Sequence, residues 1–234
     1  MRVLSEHWLK ANVPCINCGS TLQKTENNSR VKDFICPDCQ ENYELKSKEG
    51  LSIGKGMPDG AYNTMLARVQ AEDNPNFFLL AYQRSDYRVQ QLVLVPKHFV
   101  TVSMIAPRRN ALKGRDNYLM CDLDIRELPE SGKIPLVTAG KAIDPAHIQK
   151  QWQTHLFLRQ QKAEKKGWLL AILHCLDQLP AQFTLAQLYA FSDKLQKQFP
   201  DNHHIQAKIR QQLQILRDQN LIEFSARGQY RKMA

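Results

Sequence analysis

Apolar residues follow two different rhythms along this chain. In the first two thirds they fall in short runs of the kind strands make. VKDFI (31–35) and NYELK (42–46) alternate apolar with polar positions, and the tight turn CPDC lies between them, so the pair predicts a hairpin. FFLLAY (77–82) and VQQLVLV (89–95) are apolar and β-prone, joined by the polar RSDYR, and predict a second hairpin inside a core sheet. IPLVTA (134–139) reads as a further strand. Helical spacing is confined to residues 5–11, 61–72 (with Met65, Leu66 and Val69 on one side) and 145–162. Gly50, Gly54, Gly56 and Gly60 predict a loop after the first hairpin, and the basic, aperiodic stretch 106–117 predicts a surface loop.

Beyond residue 163 the rhythm becomes that of amphipathic helices. WLLAILHCLDQL (168–179) predicts a buried helix stopped by Pro180, and Thr184 is placed to cap a helix over 185–199. A third helix, from about His204 to Asn220, carries Ile205, Ile209, Leu213 and Leu216 as its apolar stripe. LIEFSARGQYRK (221–232) then predicts two short strands around Arg227 and Gly228. Three helices followed by a hairpin is the order of a winged-helix domain. The expected architecture is α/β: a domain over residues 1–163 with a mixed β-sheet and flanking helices, then a winged helix over 164–234.

Composition narrows the partners. The chain has 234 residues, 43% of them hydrophobic, enough for packed cores. It has no apolar run of about 18 residues, so no membrane span is expected. MRVLSEHWLKANVP carries charges where a signal peptide needs an apolar centre, which predicts a cytoplasmic protein. The net charge is +9 and the isoelectric point about 9.3. Because +4 of that excess lies in residues 164–234 and the rest before it, both domains suit a polyanion such as nucleic acid.

Candidate chemistry is concentrated between residues 15 and 46. CINC (15–18) and CPDC (36–39) have the spacing of a four-thiolate site, with Cys15, Cys18, Cys36 and Cys39 as zinc ligands. A closed thiolate shell leaves no position for water, so that zinc is structural. Cys121 and Cys175 stand alone in apolar surroundings and read as core residues. Asp33, Glu44 and Lys46 flank the second cysteine pair. On a strand Glu44 and Lys46 share one face, and hairpin pairing brings Asp33 across from them. Asp33, Glu44 and the Leu45 carbonyl suit a magnesium ion, and Lys46 would orient the attacking water. This is the residue set of PD-(D/E)xK nucleases. Glu6, on the preceding helix, is a possible third carboxylate. On the third C-terminal helix Gln206, Arg210, Gln211 and Gln214 lie off the apolar stripe and suit base edges, while Arg227 and Arg231 suit phosphates or a minor groove. Trp8, Trp152 and Trp168 read as core aromatics.

With these motifs in place, the chain resembles the DpnI-type methyl-directed restriction endonucleases. The resemblance is carried by CINC, ENNSRVKDFICPDCQENYELKSKEG, DGAYNTMLARVQAEDNPNFF, HIQAKIRQQLQILRD and IEFSARGQYRK. It implies a bacterial, intracellular, magnesium-dependent enzyme that cuts double-stranded DNA at GATC containing N6-methyladenine. It also implies a zinc-bearing PD-(D/E)xK domain joined to a winged helix, each reading methylated DNA. The family's two catalytic acids and lysine fall on Asp33, Glu44 and Lys46, and its zinc cysteines on the four named above. Tyr118 stands where the family pattern has a tryptophan suited to face the adenine methyl. A monomer cutting the two strands in turn is expected. Two other readings stay open: a zinc-ribbon and winged-helix regulator that binds DNA without cutting it, and a nuclease for another modified base.

Overall fold

The computed structural model describes residues 2–25, 32–71, 74–108 and 118–233. The chain forms two compact units, Met1–Leu156 and Phe157–Ala234. Among the described residues no helix is long and apolar enough to cross a membrane.

The first unit opens with α1 (Arg2–Asn12) and three strands, β1 (Gln23–Lys24), β2 (Phe34–Ile35) and β3 (Asn42–Glu49). β4 (Gly56–Ala61), α2 (Tyr62–Gln70), β5 (Asn76–Tyr82) and β6 (Val89–Val95) follow. Then come β7 (Ile105–Pro107), β8 (Met120–Asp124), β9 (Ile134–Thr138), β10 (Lys141–Ala142) and α3 (Pro145–Thr154). Seven strands make one mixed sheet in the order β1-β2-β3-β5-β6-β9-β10. Only the β3–β5 step is parallel. A parallel step needs a crossover, and β4 with α2 supply it. β4 joins β8 and β7 in a second, three-stranded sheet.

β5 explains why this sheet holds. It lies centrally, and all seven of its residues are buried, as the apolar run 77–82 requires; the one amide, Asn76, is satisfied by Glu41, the Asn42 carbonyl and the Lys97 amide. The core around it includes Leu9, Tyr43, Phe78, Leu92, Leu94 and Trp152, with the Tyr43 and Phe78 rings stacked 5.0 Å apart. Burying each such side chain is worth about 1.5–3 kcal/mol.

Several elements differ from the sequence reading. β2 covers only Phe34 and Ile35, and Val31 lies outside the described residues. The helix expected over 145–162 ends at Thr154 and continues as a 3-10 turn, Leu156–Gln160. The glycine-rich stretch is not all loop, because its second half is β4. Gly56 makes that pairing possible: a Cβ there would stand 2.1 Å from the Leu123 carbonyl oxygen. Most of the expected 106–117 loop lies outside the described residues.

The second unit contains α4 (Ala163–Asp177), β11 (Gln182–Thr184), α5 (Leu185–Tyr189), α6 (Ser192–Gln198), α7 (Ile205–Asp218), β12 (Ile222–Ala226) and β13 (Gln229–Lys232). Thr184 and Gln187 form a reciprocal capping box on α5. The helix expected over 185–199 is two helices, separated at Ala190 and Phe191. α7 buries Ile205, Ile209, Leu213 and Leu216, and also Gln212. Trp168 stacks on Phe199 at 3.9 Å. β13 lies between β11 and β12, and Gly228, at φ +71°, turns the hairpin.

Candidate active site

The β2–β3 hairpin organises both metal-type sites of the first unit. Its register pairs Phe34 with Tyr43 and Ile35 with Asn42, so CPDC forms the bend at its tip. The CINC turn meets it there. All four cysteine Sγ atoms lie within 4.8 Å of one another, with Cys15 to Cys39 at 3.5 Å and Cys18 to Cys36 at 3.4 Å. Tetrahedral zinc with bonds of about 2.3 Å separates its sulfurs by roughly 3.8 Å, so the cluster is compatible with structural zinc. Contact with the Ser20 hydroxyl lowers the Cys18 thiol to about 6, whereas burial pushes the Cys15 thiol up. A buried thiolate at Cys15 therefore needs a cation beside it.

One residue outward from the last β2–β3 pair, Asp33 continues the register opposite Glu44. The Asp33 amide donates to the Tyr43 carbonyl (3.0 Å), and its Oδ2 accepts from the Leu45 amide (2.8 Å). On the same face of β3, Lys46 Nζ lies 2.5 Å from Glu44 Oε1. Asp33, Glu44 and Lys46 thus meet on one side of the hairpin, with the Leu45 backbone between them. Burial pushes Glu44 above the ordinary carboxylate range; Lys46 opposes this, while Asp59 and Asp33 add repulsion. Burial opposes the charge on Lys46, but Glu44 and Asp59 outweigh it and raise the ammonium above its usual range.

Asp59 is the residue that sequence reasoning missed. It lies on β4, and its Oδ1 accepts from Lys46 Nζ at 2.5 Å and from the Gly60 amide at 2.6 Å. Its other carboxylate oxygen is buried, with no hydrogen-bond partner among the described residues. Glu44 and Asp59 flank the Lys46 ammonium, and Asp33 beside them is paired with Arg2, so three carboxylates face two cations and the cluster stays net negative. The Asp33 and Glu44 carboxylates beside the Leu45 backbone are all hard oxygen donors, a set that fits a divalent cation such as magnesium. The available signal was Met57-Pro58-Asp59, an apolar residue and an acid within a run read only for its glycines.

Glu6 lies close by on α1 and is held by two cations. Arg2 Nε donates to Glu6 Oε1 (2.6 Å), Lys24 Nζ lies 2.7 Å from Glu6 Oε2, and Arg2 Nη2 also donates to Asp33 Oδ1 (2.7 Å). Burial would raise the Glu6 carboxyl, but Lys24 and Arg2 outweigh it and bring it below the ordinary range. Arg2 is 79% exposed, so its bridge adds little stability and water competes for it readily.

The expected DNA-facing residues lie mainly at the surface. In the second unit Gln206, Arg210, Gln211, Gln214, Arg227 and Arg231 are all exposed. Arg210 donates to the Tyr189 hydroxyl (2.6 Å), and Arg231 pairs with Glu223 (2.5 Å). In the first unit Tyr118 is half-buried beside β4, its hydroxyl 3.8 Å from where a Cβ on Gly60 would stand. Trp152 and Trp168 are fully buried, as core aromatics would be.

Both parts of the chain match known families. Residues 1–161 match the family described as DpnI, Dam-replacing family. Residues 164–232 match the Dam-replacing HTH domain.

Proposed function

This chain belongs to the Dam-replacing family of DpnI-type proteins, a family that implies a methyl-directed restriction nuclease, and on that premise we propose that it cleaves double-stranded DNA at GATC containing N6-methyladenine. The reaction is magnesium-dependent phosphodiester hydrolysis of the PD-(D/E)xK type. The observation that carries this reading is the meeting of Asp33, Glu44 and Lys46 on one hairpin face, 2.5 Å separating the lysine from the glutamate. The nuclease domain is residues 1–163 and the winged helix 164–234. Zinc on Cys15, Cys18, Cys36 and Cys39 clamps the hairpin tip, and the enzyme acts in the cytoplasm as a monomer, one strand after the other.

Asp33, Glu44 and the Leu45 carbonyl would hold the magnesium. When bound, that ion supplies Lewis-acid polarisation of the phosphodiester and acidifies a water. The protein's own share is placement. The Leu45 amide fixes the Asp33 carboxylate, so the two acids keep their spacing on paired strands. Lys46 presents an ammonium on the same face, where it orients the attacking water and balances charge developing on the phosphate. Gln206, Arg210, Gln211 and Gln214 read base edges, Arg227 and Arg231 hold backbone, and Tyr118 offers a flat face to the methyl group.

Parallel digestion of unmethylated, adenine-methylated and cytosine-methylated plasmid with magnesium tests this. Fragments at GATC from the adenine-methylated plasmid alone are expected. Binding without cutting at high protein excess would instead identify a DNA-binding regulator. Cutting of the cytosine-methylated plasmid would move the specificity to another modified base.

A further inference from the structure

The strand that carries Asp59 is irregular at that residue. β4 and β8 pair Pro58 with Asp122 and Ala61 with Met120, so Asp59 and Gly60 together oppose the single residue Cys121. This is a β-bulge, a device that turns a side chain away from the regular alternation and that recurs beside functional sites. The segment before it is fastened to β3. Lys48, two residues beyond Lys46, donates from Nζ to the carbonyls of Ile53 (2.5 Å) and Gly56 (2.8 Å). The bulge and these two bonds deliver the Asp59 carboxylate to Lys46, and its side chain is only 7% exposed there.

The same ammonium is also held by Glu44, at the same distance of 2.5 Å. Glu44 is the acid that the proposed reaction gives to the divalent cation. A cation on Glu44 weakens its hold on Lys46, since one carboxylate then serves two positive charges at close range. Lys46 would swing away if Glu44 were its only partner. Asp59 removes that freedom.

We propose that Asp59 is a positioning residue that keeps the Lys46 ammonium on the hairpin face while Glu44 turns to the cation. This deepens the nuclease reading and rests on it for its consequence in catalysis, whereas the grip of Asp59 on Lys46 is a property of the protein alone. Asp59 acts through Lys46 and takes no place among the metal-holding groups.

Two variants and two readouts test the idea. Asp59→Ala removes both charge and acceptor; Asp59→Asn keeps an oxygen that accepts from Lys46. The first readout is independent of cleavage: labelling of Lys46 by an amine-directed reagent, followed by peptide mass spectrometry. Labelling is expected to rise several-fold in Asp59→Ala and less in Asp59→Asn, at unchanged thermal midpoint for the latter. Unchanged labelling in both variants overturns the proposal whether or not the protein cuts DNA. The second readout is cleavage of adenine-methylated DNA over a magnesium series. Misplacing a catalytic group by about 1 Å costs roughly 10²-fold, so Asp59→Ala is expected to lose about that much kcat with KM for DNA unchanged, and Asp59→Asn less. A raised magnesium requirement with full maximal rate would make Asp59 a metal ligand and overturn the positioning role. Loss of folding and DNA binding in Asp59→Asn would make it structural and overturn it too. If labelling rises in Asp59→Ala over wild type while wild-type protein cuts no methylated plasmid, the grip on Lys46 stands and the nuclease reading is refuted instead.

Discussion

The hairpin site of the first unit and the exposed face of α7 in the second are built on opposite terms. At the hairpin, Asp33, Glu44, Asp59 and Lys46 are largely withdrawn from water: Lys46 is held between Glu44 and Asp59 at 2.5 Å, and Asp33 is fixed by the Leu45 amide at 2.8 Å. On α7, Gln206, Arg210, Gln211 and Gln214 project from a helix whose other side is anchored by Ile205, Ile209, Leu213 and Leu216. Buried charges close together are strongly coupled, so losing one changes the work of all the others. Exposed side chains on a rigid helix act nearly independently. The first site should therefore fail as a unit, and the second should lose affinity in increments.

Cys36→Ser is expected to strike hardest, because it removes one of the four thiolates of the proposed zinc clamp at the hairpin tip. Roughly 10 kcal/mol or more is at stake in a complete structural zinc site. Loss of bound zinc by elemental analysis, a collapsed melting transition for the first unit and no cleavage are expected, while the second unit still shifts DNA in a gel. A zinc-free variant with full activity would remove the metal from the account altogether.

The next largest effect is expected at Asp33. Asp33→Ala and Asp33→Asn should each lower cleavage on the order of 10³-fold, the scale of losing preorganised charge at the reacting centre, with methylated-DNA binding retained in calcium. The pair separates chemistry from folding. Asn still accepts the Leu45 amide, whereas Ala forfeits that hydrogen bond and about 1 kcal/mol of stability with it. Equal activity loss with unequal melting temperatures is the expected signature; retained cleavage in Asp33→Asn would dissolve the contrast between the two sites.

Why the sequence disclosed the two acids of the hairpin and hid the third follows from the range of the interactions involved. Asp33, Glu44 and Lys46 are brought together by one tight turn, and their relation is fixed by strand alternation within 14 residues. The cysteines are equally local. Asp59 reaches the site only because β4 pairs with β8, about 60 residues later in the chain, and because the pairing carries a bulge. Neither is written in the glycine spacing, which by itself predicts a loop. The winged-helix order was legible from helical stripes, but β11, three residues long, has no periodicity to detect. Nor does any glycine or proline announce the break at Ala190 and Phe191. Gln212, buried on the apolar side of α7, broke the stripe rule in the other direction.

On the exposed face the expected losses are smaller and separable. Arg210→Ala and Gln214→Ala should each weaken binding to the preferred site by about 1–3 kcal/mol relative to other sequences, if they read base edges. Arg227→Ala should weaken binding to all sequences alike and reduce the salt dependence of log K by about one unit. Arg231→Ala should do less, since its guanidinium is already neutralised by Glu223 at 2.5 Å. Binding titrations at several salt concentrations measure all four. Losses that multiply far beyond the product of the single variants would mean that this face is as coupled as the hairpin.

The smallest effect is expected at Tyr118, a residue of the first unit that combines burial with a reading role. It lies half-buried beside Gly60, the residue that follows Asp59, yet its proposed task is to read a methyl group. A buried methyl is worth about 0.8 kcal/mol by transfer, or about a four-fold preference. Tyr118→Ala should therefore reduce the ratio of binding between methylated and unmethylated GATC duplexes by about that factor. Tyr118→Trp, with a larger apolar face and no hydroxyl to satisfy, should widen it. Measured in calcium, these ratios are independent of the chemical step. A change in cleavage rate at saturating DNA with no change in the binding ratio would show that Tyr118 supports the Asp59 bulge and not the methyl group.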